Sequence, residues 1–324
     1  MAEKTRHVPV LLQTAIRYLN PDPTAQGRGG GPGVQRGGTF LDATLGFAGH
    51  ASEMARRLGP EGRLIGFDRD PEALELARQR LDALRDELGA EMPAVELHGV
   101  EFSRAGEVLA GRRVDGLLAD FGVSSMHLDE ARRGFSFQAD AFLDMRMNPR
   151  QELTAEQVVN HMGEEELANV IYEFGEERRS RRIARAITRA RPVTTTAQLA
   201  RVVAAAAPVM KAGQKWERGR HWTHPATRTF QALRIYVNAE LSEIDALLAA
   251  APELLKPGGR LVLISFHSLE DRRVKDTLRE GARQGVWEVL TRKPEVAEAE
   301  ETDRNPRARS AKLRAAERKA AGSQ

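Results

Sequence analysis

One stretch constrains this chain more than any other: Gly38 to Asp70, GTFLDATLGFAGHASEMARRLGPEGRLIGFDRD. Thr39 to Leu41 is a short apolar run that ends on Asp42, and the following Leu45-Gly46-Phe47-Ala48-Gly49-His50 is a turn whose glycines permit close backbone approach. A helix over Ala51 to Leu58 stops at Gly59-Pro60-Glu61-Gly62, and Arg63 to Phe67 is apolar enough for a buried parallel strand closing on Asp68. The pattern predicts one βαβ unit. In such a unit free N–H groups at the helix start face the turn, and an acid at the tip of the second strand can hold a ribose diol. Asp68 lies 22 residues beyond Gly46, which suits that role. The turn is not G-x-G-x-x-G, so a pyrophosphate-binding dinucleotide site fits less well than a nucleoside without phosphates. An ordinary α/β turn with a capping acid remains the alternative on spacing alone.

The pattern continues. Pro71 to Leu88 is an amphipathic helix with Leu74, Ala77, Leu81 and Leu84 on one face, and Val95 to His98 is a third strand followed by Phe102, an aromatic placed to cover a purine or to join the core. Val114 to Ala119 is a fourth strand, ending in Asp120-Phe121-Gly122. Ligands of open α/β sheets sit beyond the carboxyl ends of the strands, so Asp42, Asp68 and Asp120 should share one edge and form a negative cleft suited to a cationic nucleoside such as one carrying a sulfonium.

The α/β pattern then stops: Met126 to Pro149 reads as loop with Phe135, Phe137 and Phe142, and Thr154 onward is helical. Thr154 and Gln157 have capping-box spacing, Glu164 to Glu166 open a helix through Phe174, and TTTAQLARVVAAAAP starts with a threonine cap. Glu176 to Arg191 carries seven arginines against two glutamates around a narrow stripe of Ile183, Ala184 and Ile187, a pattern that suits a phosphate backbone or a solvated charged face. Lys211 to His224 interleaves cations with Trp216, Trp222, His221 and His224, as single-stranded RNA contacts do. His221 and His224 lack the further ligands a zinc site needs, and no metal is expected. The α/β pattern resumes with a helix over Ala226 to Ala250, a Pro-Gly-Gly turn and the strand LVLISF, with His267 to Arg272 again at a strand's carboxyl end. The chain closes on an acidic run and then RNPRARSAKLRAAERK, seven cations against one acid, read as an RNA-contacting arm.

Composition narrows the class. With 324 residues, 41% hydrophobic and a net charge of only +3, the chain is globular and not a global polycation. It has no cysteine, which removes thiol nucleophiles and thiolate metal sites and accords with a reducing cytoplasm. No apolar run is long enough for a membrane span or signal sequence.

Taken together, HVPVLL (7 to 12), LDATLGFAGH (41 to 50), FDRDP (67 to 71), LLADFGVSS (117 to 125), RGFSF (133 to 137), LDMRM (143 to 147), YEFGEERRSRRIARAI (172 to 187), HPATRTFQALRI (224 to 235), KPGGRL (256 to 261), SFHSLEDRRVK (265 to 275) and NPRARSAKLRAAER (305 to 318) closely resemble the ribosomal RNA small-subunit methyltransferase H, or MraW-type, family. The resemblance implies an α/β fold: a class I, Rossmann-like S-adenosylmethionine methyltransferase domain in two parts, 1–126 and 224–324 with its basic tail, interrupted by an all-helical substrate domain, 127–223. It implies methylation of N4 of a cytidine in the decoding region of small-subunit (16S) ribosomal RNA, in the cytoplasm, on free rRNA or an assembled small subunit, and is compatible with a homodimer. Cofactor contacts would fall to Ala48, Gly49, His50, Asp68, Phe102, Asp120 and His127. Asp120 would also be the catalytic residue, since other amino-methyltransferases place an Asp, Asn or Ser before Pro-Pro-aromatic at this strand end. The chain departs from the family in carrying Ala48 where Gly is common and His127 where glutamine is frequent. A small-molecule methyltransferase, an RNA-binding assembly module and a nicotinamide oxidoreductase are the rival readings.

Overall fold

A computed structural model describes residues 9–19, 37–124, 127–128, 130–207 and 224–320. His7, Lys211, Trp216, His221 and Trp222 lie outside the described residues. By its internal packing the chain divides into two units, Met1–Gly122 with Leu241–Gln324, and Val123–Glu240. No described helix is long and apolar enough to cross a membrane.

The first unit is built on a seven-stranded sheet. Its strands are β1 Thr39–Asp42, β2 Arg63–Phe67, β3 Ala94–His98, β4 Val114–Asp120, β5 Leu255–Ser265, β6 Trp287–Val289 and β7 Lys312–Arg318, in the spatial order β3-β2-β1-β4-β5-β7-β6. The five strands from β3 to β5 run parallel, and β7 enters antiparallel between β5 and β6. Central strands of a parallel sheet are covered on both faces, which is why β1, β2, β4 and β5 read as near-continuous apolar runs. Leu41, Leu64, Ile65, Leu117, Leu118, Val262 and Leu263 are all fully buried. Gly116 makes room for Phe40, whose ring would lie 2.3 Å from a Cβ at that position.

Helices α1 Leu12–Leu19, α2 Gly49–Leu58, α3 Pro71–Leu88 and α4 Ala105–Leu109 belong to this unit. The α3 helix forms over the span its periodicity predicts, because Pro71 fixes the first turn and the buried Asp70 carboxylate accepts the Glu72 N–H at 3.0 Å. Its buried face is Ala73, Ala77, Leu81 and Leu84.

The second unit contains α5 Ala155–His161, α6 Glu164–Gly175, α7 Ser180–Ala190, α8 Thr196–Ala206 and α9 Thr227–Val237. Complete capping boxes, Thr154 with Gln157 and Thr195 with Gln198, start α5 and α8. The core joins Leu143, Val159, Leu167, Ile171, Ile183, Ile187, Leu199, Val203 and Leu233. The division from the first unit falls at Glu240 rather than at the expected 223, because α9 packs on α6.

Two expectations change. The helix read over Ala226 to Ala250 breaks into α9 and α10, Glu240–Leu254, at Asn238 and Ala239. The buried Asn238 amide accepts the Met147 N–H and donates to the Met145 carbonyl, both at 2.7 Å, and Ala239 turns to φ +49°. The basic segment near the C-terminus is not a free arm: its second half, Lys312–Arg318, is β7, an interior strand of the sheet. Leu313, Ala315 and Ala316 are fully buried, and the Arg314 guanidinium donates to Asp271 at 2.7 Å on α11, Ser268–Arg283. The acidic run before it is also tied down: Glu301 accepts the Leu11 N–H at 2.7 Å and Glu295 the Tyr18 hydroxyl at 2.7 Å.

Leu313→Ala tests the strand assignment. Truncating a fully buried leucine should lower stability by about 2–5 kcal/mol in chemical denaturation, whereas truncation in an exposed arm would leave the midpoint unmoved.

Candidate functional site

The register of the parallel strands brings three carboxylates to one edge. Asp42 is the last residue of β1 and pairs with Gly66 of β2 and Leu118 of β4, Asp68 follows β2, and Asp120 ends β4. The turn after β1 ties them together. The Gly46 N–H donates to Asp68 Oδ2 at 2.8 Å, the Thr44 N–H to Asp42 Oδ1 at 3.2 Å, and the Asp120 N–H to Thr44 Oγ1 at 2.6 Å. The other Asp68 oxygen accepts the Asp70 N–H at 2.9 Å, so this half-buried carboxylate is oriented from both sides.

Burial governs the charge of this group. It pushes the Asp42 carboxyl up to about 7, helped by the neighbouring Asp68 charge and opposed by the Thr44 N–H. Asp120 is also held well above the ordinary carboxylate range, by burial and then by Asp42 and Glu270. Its Oδ1 is shielded from solvent and has no hydrogen-bond partner among the described residues, while Oδ2 lies 4.0 Å from His50 Nδ1. His50 Nε2 is 3.1 Å from the Val10 carbonyl, which can only accept. That nitrogen therefore carries the hydrogen, and Nδ1 faces Asp120.

Ala48 and Gly49 serve the local fold. Ala48 is fully buried and caps α2 in the left-handed region at φ +55°. Gly49 allows contact with Pro9, whose Cγ would lie 2.2 Å from a Cβ there. Phe102 is half-buried at the third strand's end, with its ring 5.9 Å from that of Phe121. Its loop is anchored by Glu243 of α10, which accepts from the Ser103 N–H at 3.1 Å and the Ser103 hydroxyl at 2.9 Å. Glu243 escapes a reading by motif because it lies 140 residues away in sequence. At the end of β5 the fully buried Glu270 accepts the Phe266 N–H at 2.7 Å, and its other oxygen lies 3.0 Å from His267 Nε2.

Three acids and an oriented histidine gathered beyond β1 and β4 are chemistry suited to a cationic ligand. Comparison with known proteins narrows the chemistry: residues 4–319 match the MraW methylase family. The chain belongs to this family. It is 70% identical over 317 residues, 98% of this chain and 100% of the other, to a ribosomal RNA small subunit methyltransferase H from Acidobacterium capsulatum. A protein of the same name from Koribacter versatilis is 56% identical over 98% of this chain and 95% of its own, and one from Synechococcus elongatus 48% identical over 96% and 94%.

Within this methylase, Ala48, Gly49, His50, Asp68, Phe102 and Asp120 fall in the first unit. His127 lies in the second, buried, with its ring stacked on Phe135 at 5.0 Å and its Nδ1 accepting the Ser124 N–H at 3.3 Å. His224 packs on Phe137 at 4.6 Å and accepts the Ala226 N–H at 3.1 Å.

The raised Asp42 value fixes a pH dependence. An unfolded aspartate titrates near 3.9, so between roughly pH 4 and 7 the folded protein holds more protons than the unfolded chain. This contribution to stability is complete below about pH 4 and is lost as the pH rises through about 7. Urea midpoints of the cofactor-free protein should decline across that window, and Asp42→Asn, which cannot ionise, should flatten the decline.

Proposed function

We propose that the protein is an S-adenosylmethionine-dependent methyltransferase of small-subunit ribosomal RNA, and that its methyl acceptor is N4 of a cytidine in the decoding region. The observation that carries the reading is the convergence of Asp42, Asp68 and Asp120 on one strand edge, with a buried Asp120 oxygen that has no partner among the described residues. A donor set of carboxylates and backbone groups fits this cofactor: an acid for the ribose, negative charge for the sulfonium and no phosphate-binding loop. Asp68 would hold the ribose hydroxyls, Phe102 would cover the adenine, and the turn from Gly46 to His50 would accommodate the amino-acid portion. When bound, the cofactor supplies an electrophilic methyl group.

The cytosine amine is a weak nucleophile because its lone pair is delocalised into the ring. Asp120, as an acceptor toward the amine N–H, would favour a pyramidal nitrogen and aim its lone pair at the methyl carbon. As the N–C bond forms and the S–C bond breaks, the acceptor nitrogen becomes acidic and releases its proton, so no strong base is required. His50 Nδ1, 4.0 Å from Asp120 Oδ2, is placed to interact with that carboxylate.

An RNA substrate is supported by α7. Its Ile183, Ala184 and Ile187 are buried, as the stripe predicts, and Arg178, Arg181, Arg182 and Arg189 on or beside the helix are exposed without an ion pair among the described residues. Arg191 departs from the pattern, its guanidinium donating to the Val159 and Met162 carbonyls at 2.8 and 2.5 Å. Arginines that have no acid to satisfy are available to phosphates. The enzyme would act in the cytoplasm on free rRNA or the assembled small subunit, with a homodimer as one compatible state.

Incubation with methyl-labelled S-adenosylmethionine and unmodified small subunits, followed by nucleoside analysis, should yield N4-methylcytidine. Label on another nucleoside would refute the acceptor, and no label in rRNA despite cofactor binding would refute the substrate. Asp120→Asn should reduce kcat/KM at least tenfold, roughly 1.4 kcal/mol or more of transition-state stabilisation, with folding intact.

A further inference from the structure

Outside the acidic edge, the first unit carries a cleft of about 620 Å³ on the opposite flank of the sheet, beside β7 and β6. Its floor is formed by Leu278, Ala282 and Val289, and its walls carry Lys275, Arg279, Arg283, Arg292, Lys293 and Arg314. No acidic residue lines it.

The cations divide into two kinds. Arg314 is buried and neutralised by Asp271 at 2.7 Å, so it belongs to the fold. Lys275, Arg279, Arg283, Arg292 and Lys293 are exposed. Among the described residues Lys275 and Arg279 pair with the half-exposed Asp276, at 3.7 and 3.4 Å, and Arg283 with Glu280 at 3.4 Å. Surface pairs of this kind contribute about 0–1 kcal/mol and are readily exchanged for a stronger anion. Arg292 and Lys293 make no ion pair among the described residues.

Spacing decides what kind of anion fits. Lys275, Arg279 and Arg283 follow one another at four-residue intervals along α11, a row about 12 Å long at 1.5 Å per residue. Arg292 and Lys293 face the row across the cleft from the segment after β6. A single phosphate or nucleotide would require convergent buried donors, and the one buried cation here is already paired. A linear row of exposed cations above an apolar floor instead matches successive phosphates of a polyanionic strand.

We propose that this cleft is a second RNA-contacting surface, which binds the sugar-phosphate backbone of the ribosomal RNA away from the methyl acceptor. The inference rests on the reading of the substrate as RNA. It assigns the basic character near the C-terminus to a cleft on α11 and the segment after β6, rather than to β7.

The test is fluorescence anisotropy of the full-length protein with a labelled duplex fragment of small-subunit rRNA at several salt concentrations, a readout independent of methyl transfer. Lys275→Glu/Arg279→Glu/Arg283→Glu should raise the dissociation constant at least tenfold and make the log-log salt dependence shallower by about two to three contacts, with cofactor affinity unchanged. Arg292→Gln/Lys293→Gln, which adds no repulsion, should raise it roughly threefold, and retained circular dichroism would separate either effect from unfolding. Unchanged RNA affinity and slope in both variants would overturn the proposal, as would a loss seen only on anionic phospholipid vesicles. Wild-type methyl transfer to small subunits, measured on the same preparation, reports separately on the substrate reading: a cleft-dependent loss of RNA binding stands whether or not label reaches rRNA.

Discussion

Everything at the acidic edge depends on keeping like charges together where water is scarce. Asp42 and Asp120 sit at the ends of neighbouring parallel strands, fixed by a register in which Asp42 pairs with Leu118 and Asp120 with Ile264. Strand pairing, the Thr44 hydroxyl and the Gly46 N–H impose that arrangement, and the carboxyls respond by shifting their proton affinity upward. A fold that selected only for stability would replace such a pair with apolar groups.

The rest of the sheet exists to hold those ends still. Behind them, Phe40 fills the space left by Gly116, and α2 packs Ala51, Met54, Ala55 and Leu58 into the core. On the far side β7 pairs with β5 from Arg260 to Ser265 and with β6 from Trp287 to Val289. The reversed strand thus shields a central strand that would otherwise be an exposed edge.

Local chemistry made much of this legible. Cap residues, proline at a first turn and apolar periodicity located α3 and the capped helices α5 and α8, and the rule that ligands sit beyond strand carboxyl ends placed Asp42, Asp68 and Asp120 together. What escaped was long-range pairing. The run KLRAAER looks like a solvated arm because Arg314 is charged, and only Asp271, 43 residues away, makes its burial tolerable. The break at Asn238 is similarly invisible locally, since the groups that hold its amide are the backbone of Met145 and Met147. Glu243 anchors the Phe102 loop from 140 residues away, and no spacing signals that.

Two adjacent small residues open α2, and they are constrained by different physics. Ala48 adopts φ +55°, where an L-residue bears about 1–2 kcal/mol of strain that glycine would avoid. Its methyl is fully buried, and that burial returns about 0.8 kcal/mol. The net cost is about 0.2–1.2 kcal/mol, small enough for the position to carry alanine in place of glycine while keeping the turn. Gly49 has no such latitude. A Cβ there would stand 2.2 Å from Pro9 Cγ, and yielding would displace the segment whose Val10 carbonyl orients His50 beside Asp120. A glycine needed for conformation can be traded for a buried methyl; a glycine needed for contact cannot.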